Sequence, residues 1–244
     1  MTAAVGGVDA GGDGAVAAIG AAVAGTIERV FAAVGVVHTA ALRSLAAEVS
    51  DGPRAAESGR VLDEQIDRLL REPGQIAVGL GLVAAPRPEL NLPLRLRWWQ
   101  VDPSVGRLVQ LDPDLRPASL GYYDYTATDW FDVPRRTGRR HVVGPYVDVH
   151  GTGRYLLTLT GPLVARGEFL GVVGADVPVS AFESHLLHVL GLPRQTFLVR
   201  NDEGRVVLST SPEWLVGDLV RDEAVLPGPG APITGVPWRL HVRS

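Results

Sequence analysis

Three of the chain's five tyrosines fall within four residues, Tyr122-Tyr123-Asp124-Tyr125, and Trp130-Phe131 follow almost at once. Gly144-Pro145-Tyr146-Val147-Asp148 comes soon after. Tyr and Trp join a large apolar face to a polar edge, so they can wall a small molecule and orient it. Set beside aspartates in a segment rich in turn residues, they read as the rim of a ligand pocket. The plainer reading is an aromatic mini-core under a long loop.

Other chemistry finds less support. Asp129, Asp132, Asp148 and Asp176 could supply paired carboxylates for acid–base work, although loop aspartates more often cap and turn. His185 and His188 have helical i, i+3 spacing with Glu183 nearby, and a solvated helix face explains them better than a metal site. Gly79-Leu80-Gly81-Leu82-Val83-Ala84 fits Gly-x-Gly-x-x-Ala, but it follows a helix and lies inside a strand, where dinucleotide binding needs strand, turn, then helix. There is no Gly-x-Ser-x-Gly elbow and no His-Glu-x-x-His. The chain has no Cys, which removes disulfides, thiolate nucleophiles and Cys-ligated metal. All 23 basic residues are Arg, which removes Schiff-base chemistry and a P-loop lysine. No catalytic residue, metal or cofactor is assigned, and an enzyme is not expected.

The elements that must hold the aromatic cluster follow from periodicity. In 244 residues that are 46% hydrophobic there is enough apolar surface for a core. Ile27, Val30, Phe31, Val34, Leu42, Leu45 and Val49 trace one stripe of a helix about ten turns long. Asp51-Gly52-Pro53 stops it. Val61, Leu62, Ile66, Leu69 and Leu70 mark a second helix, ended by Pro73-Gly74. The period then becomes strand-like: Val78 to Ala84, the alternating Leu94-Arg95-Leu96-Arg97-Trp98, then Arg154 to Thr160 and Glu168 to Val177, joined by a loop with Pro162 and Arg166-Gly167. Gly151-Thr152-Gly153 makes the turn before that pair. A short helix is expected over 180–190. Asn201-Asp202-Glu203-Gly204 turns between strands at 195–200 and 205–209, and Trp238 to Val242 supplies a last strand. Helices first and consecutive strands afterwards predict α+β with an antiparallel sheet.

The ordered series Asp129-Trp130-Phe131, Gly144-Pro145-Tyr146-Val147-Asp148, Leu157-Thr158-Leu159-Thr160-Gly161-Pro162-Leu163 and Gly167-Glu168-Phe169-Leu170-Gly171-Val172-Val173-Gly174-Ala175-Asp176-Val177 resembles the Cache family of sensors. Asn201-Asp202-Glu203-Gly204-Arg205-Val206-Val207 and Gly217 match its next segment. The resemblance implies a PAS-like antiparallel sheet behind the long helix, with no catalytic activity. It divides the chain into a flexible start (1–12), a helical and Cache module (13–194) and a small truncated second β module (195–244). By position in the amino-acid-binding subfamily, Tyr123, Trp130, Phe131, Tyr146 and Asp176 fall on ligand contacts. Tyr125, Thr128 and Asp148 complete the expected site. Thr128 stands where the subfamily has an Arg associated with the ligand's carboxylate, while the counterpart of Asp176 is associated with its ammonium. An α-amino acid would need Arg95, Arg97 or Arg135 to swing in, whereas an amine or other small cation suits Asp176 and aromatic walls.

Function is thus expected to be small-molecule sensing, with occupancy passed to a separate partner, such as a transcription regulator, or through a homodimer along the first helix. A ligand-free scaffold and an aspartate hydrolase are the alternatives. A net charge of −4 gives no reason to expect nucleic acid or an anionic membrane. Ala15 to Gly25 is too short to span a bilayer, and the N-terminus lacks a positively charged leader. A cytoplasmic location is expected.

Overall fold

The computed structural model describes residues 12–49, 53–86, 95–102, 104, 106–116, 118–149, 153–191 and 195–243. In chain order the elements are α1 (Gly12–Val49), α2 (Pro53–Leu70), β1 (Gly79–Ala84), β2 (Arg95–Val101), β3 (Leu108–Gln110), α3 (Asp129–Thr137), β4 (His141–Val147), β5 (Tyr155–Ala165), β6 (Glu168–Pro178), α4 (Val179–Leu190), β7 (Phe197–Arg200), β8 (Val206–Ser209), β9 (Ala231–Pro232) and β10 (Arg239–Val242). The fold is α+β, with a long first helix, a main antiparallel sheet and a smaller one, as expected. The expected flexible start and the breaks at Asp51-Gly52 and Gly151-Thr152 lie largely or wholly outside the described residues.

The chain divides into two compact units. One runs from Ile27 to Phe182, and the other takes the chain up to Thr26 together with Glu183–Ser244. The division between the units thus falls inside α1 and near the start of α4.

The larger unit holds the six-stranded sheet, ordered β3-β2-β1-β6-β5-β4. Side chains alternate faces along each strand. On one face Leu80 and Leu82 of β1 and Leu157 and Leu159 of β5 are buried. The ion pair of Arg97 with Asp63, at 2.6 Å, fastens α2 to that face. On the other face Val83, Trp98 and Val172 join Tyr125, Trp130 and Phe131 in a second core. An aromatic core of the kind the plainer reading expected is thus present on this face.

Two segments differ from expectation. Residues 129–137, expected as loop, form α3, with Asp129 and Asp132 in its first turn and Gly138 at φ 65° closing it. Pro162, expected in a loop, lies within β5. Strand β4 begins at His141 opposite Thr160, so the missing N–H of Pro162 falls where no neighbour on that side needs it. The turn itself is Arg166-Gly167, both at positive φ, as a two-residue hairpin requires.

The smaller unit contains the sheet β8-β7-β10-β9. Leu198, Val206, Val220 and Leu226 form its core, with Trp214 packed against them.

Candidate functional site

Strand β4 would carry Tyr146 along its edge, but its register with β5 shifts between Val143 and Tyr146. A Cβ on Gly144, at φ 116°, would come within 2.6 Å of the Leu156 carbonyl, so this close strand crossing needs glycine. Past the bulge Tyr146 turns into a cavity of about 120 Å³. Val83, Leu96, Leu111 and Pro113 supply apolar wall, and Trp98, Tyr123, Trp130 and Tyr146 the aromatic one. Asp112, Asp148, Thr158 and Asp176 complete the lining.

Asp176 is buried and faces Thr158 across the β5–β6 ladder, where the two are Cα partners. The Thr158 hydroxyl donates to the Asp176 carboxyl at 2.7 Å, so the Tyr146 hydroxyl, 2.8 Å away, must donate to Thr158. The result is a directed chain from phenol to hydroxyl to carboxylate. Burial nevertheless pushes the Asp176 pKa up to about 7, and the nearby Asp148 adds to this. The Thr158 bond, the Trp98 N–H and Arg154 pull the other way without winning. A carboxylate kept from water is costly unless a charge partner joins it. Burial raises Tyr123 to about 12 and Tyr146 further still, so both phenols stay protonated donors at neutral pH.

Of the expected site residues, Tyr123, Trp130, Tyr146, Asp148 and Asp176 line the cavity. Tyr125 is wholly buried behind it, its hydroxyl donating to the Ala84 carbonyl at 2.8 Å and accepting from the Arg95 N–H. Phe131 packs edge-on against Trp130 and Phe169. Thr128 precedes α3 and gives its hydroxyl to the Tyr125 carbonyl at 2.6 Å. The three arginines that might replace its charge are not in the lining. Arg97 grips Asp63, Arg135 grips Asp132, and Arg95 borders a recess with Leu82 and Ala84 on the helical face. Among the described residues no basic side chain lines the cavity.

Trp98, Thr158 and Asp112 were not among the expected residues. Alternation could have found the first two, because Leu96-Arg97-Trp98 and Leu157-Thr158-Leu159 put Trp98 and Thr158 on opposite faces from their neighbours. Asp112 lies in irregular chain and left no such signal.

Residues 108–184 match the model of the methyl-accepting chemotaxis protein-like first PDC sensor domain. A solved structure named methyl-accepting chemotaxis protein X aligns with TM-score 0.65 at 16% identity, covering 95% of this chain and 96% of that one. The fold is of the Cache type. The ligand-binding domain of the Pseudomonas aeruginosa amino acid chemoreceptor PctC, in complex with GABA, aligns with TM-score 0.55 at 20% identity over 93% and 96% of the two chains. That of the Pseudomonas fluorescens chemoreceptor CtaA, in complex with L-valine, gives TM-score 0.54 at 15% identity over 93% and 94%. These alignments run over nearly the whole of this chain and of those structures. No curated protein matches by sequence. The cavity falls largely within the matched segment, with Val83, Leu96 and Trp98 added from outside it.

Proposed function

We propose that this chain senses a compact organic cation, an amine foremost, and reports its binding to a separate protein. One observation carries the reading: a buried carboxyl, Asp176, sits in an aromatic cavity whose described lining holds two further carboxyls and no basic side chain. An ammonium would restore the charge partner that burial denies Asp176, and aromatic faces favour cations. Two of the neighbours named above were solved with amino acids, GABA and L-valine, which carry an ammonium and a carboxylate together. Here nothing in the cavity offers a carboxylate the two-point grip of a guanidinium. Binding would favour one packing of the sheet and shift the helices attached to it. No turnover is part of this reading. A cytoplasmic location and a homodimer along α1 complete it.

A second location has one observation in its favour. By length and composition α1 could cross a membrane over Gly12–Ala47, although 44% of its most apolar stretch is buried within the protein. Fractionation of cells separates a soluble chain from an anchored one.

The functional test is thermal denaturation against paired ligands: alkylamines, the amino acids with the same side chains, and the corresponding carboxylates. A ligand at a hundredfold its Kd stabilises by about 2.7 kcal/mol, roughly 5–10 °C at this size. The expected result is a shift with amines that Asp176→Asn abolishes. Stabilisation by carboxylates alone would overturn the reading, and silence across the panel would favour a ligand-free scaffold.

A further inference from the structure

Trp98 stands directly opposite Gly81 on β1, and Gly81 in turn opposite Gly174 on β6. Its indole lies across a floor of glycines. A Cβ on Gly81 would come within 2.9 Å of the six-membered ring, one on Gly174 within 3.1 Å of its far edge, and one on Gly79 within 2.8 Å of Nε1. The same Gly79 position is 3.2 Å from Asp176 Oδ2, so indole nitrogen and carboxyl meet over that glycine. The Gly79-Leu80-Gly81 pattern, inside strand β1, therefore seats an aromatic ring.

Two features need explaining. First, Trp98 is 4% exposed and its Nε1–H has no hydrogen-bond partner of full geometry, although a buried donor is normally paired. It is close enough to Asp176 to favour the charged form. Second, the largest aromatic side chain occupies the cavity's inner side, leaving about 120 Å³, less than the roughly 150 Å³ of a cavity that holds benzene.

We propose that Trp98, resting on Gly79, Gly81 and Gly174, is the specificity-determining residue of the pocket: its ring limits the ligand to a cation of a few heavy atoms, and its N–H is the donor that the Asp176 carboxylate takes up once that cation binds. This rests on the cation reading above. The groups facing Asp176 are Asp148, Arg154, Thr158, Tyr146 and Tyr123. Thr158 already donates to Oδ1, which leaves Oδ2, on the Gly79 side, for the indole. A neutral carboxyl is a poor acceptor and a carboxylate a strong one, so the bond tightens when Asp176 ionises. Covering cross-strand glycine with an aromatic ring also stabilises a sheet, and the test must separate that role from selectivity.

The measurement is binding of a primary alkylammonium series, methyl to hexyl, across pH 5.5–8.5, to the wild-type chain, Trp98→Phe and Trp98→Leu. Wild-type affinity is expected to rise about fourfold per added methylene and then fall once the chain outgrows the cavity. Trp98→Leu moves that optimum to longer chains. Trp98→Phe, which keeps a ring and folds most readily, keeps a short optimum but binds several-fold more weakly, with its pH midpoint displaced upward. An unchanged optimum in Trp98→Leu, or an unchanged affinity and midpoint in Trp98→Phe, overturns the proposal, since a purely structural Trp98 would alter the melting temperature alone. Binding of no alkylammonium by the wild type overturns the cation reading and the size limit with it. The N–H assignment is then judged separately. The indole ¹⁵N–¹H resonance of Trp98 should move with pH near 7 in the wild type and stay still in Asp176→Asn; a resonance indifferent to pH refutes it.

Discussion

The Thr160 hydroxyl donates to the carbonyl oxygen of Trp130 at 2.7 Å, in the buried layer between β5 and α3. That carbonyl is the one Pro134 leaves without a helical donor, because proline has no N–H to return four residues back. One hydroxyl thus allows a proline inside a nine-residue helix and sets the height of Trp130 in the pocket wall.

Thr160→Val keeps the shape and removes the donor. An orphaned buried carbonyl costs about 1–3 kcal/mol, so the urea midpoint should fall accordingly. Amine affinity should fall as well, because Trp130 loses its anchor. An unchanged midpoint would show that water or another donor replaces the hydroxyl.

Asp176 sets a pH dependence whose sign follows from its raised pKa. Between about 4 and 7 the unfolded chain has released this proton while the folded chain keeps it, so stability falls with rising pH over that window and levels above it. Asp176→Asn has no proton to hold. The melting temperature of Asp176→Asn relative to wild type should therefore climb from pH 4 to pH 7, by the equivalent of up to about 4 kcal/mol. A difference that stays flat across this range would contradict a neutral Asp176. In the wild type, affinity for an ammonium should improve about tenfold per pH unit below 7 and then plateau, because the ligand selects the ionised carboxyl.

Tyr125→Phe separates scaffold from pocket. Its hydroxyl ties β1 to β2 through Ala84 and Arg95, and no part of it lines the cavity. Loss of stability of about 1–3 kcal/mol is expected with amine affinity held within about threefold. A selective loss of affinity at full stability would place this residue in recognition instead.

Asp63 accepts from Arg97 at two points, 2.7 and 2.6 Å, and from the Trp99 indole at 2.7 Å. Both members of the ion pair are partly shielded, at 33% and 25% exposure. Asp63→Ala should lower stability by about 1–2 kcal/mol in urea, and combining it with Arg97→Ala should cost less than the sum of the two single changes. Additivity would mean that α2 is held by packing alone.

Much of this was legible in the sequence. The 3.6-residue stripe from Ile27 gave away α1 and strict alternation marked β2, whereas β1, β5 and β6, buried on both faces, showed only as apolar stretches bounded by turn residues. The aromatic-and-aspartate cluster singled out one stretch of chain, and five of the eight residues named from it meet in one cavity. What sequence could not settle was which aromatics face inward. Tyr123 and Tyr125 are two residues apart, yet one walls the cavity and the other braces the strands behind it. That choice depends on the 3₁₀ turn at Tyr125–Ala127 and on α3, whose proline is tolerated only because Thr160 approaches from a distant strand. Likewise Gly79, Gly81 and Gly174 are unremarkable until β1 and β6 pair and Trp98 comes to rest on them. Local pattern determines which face of an element is apolar; the partner across the sheet, tens of residues away, decides what that face encloses.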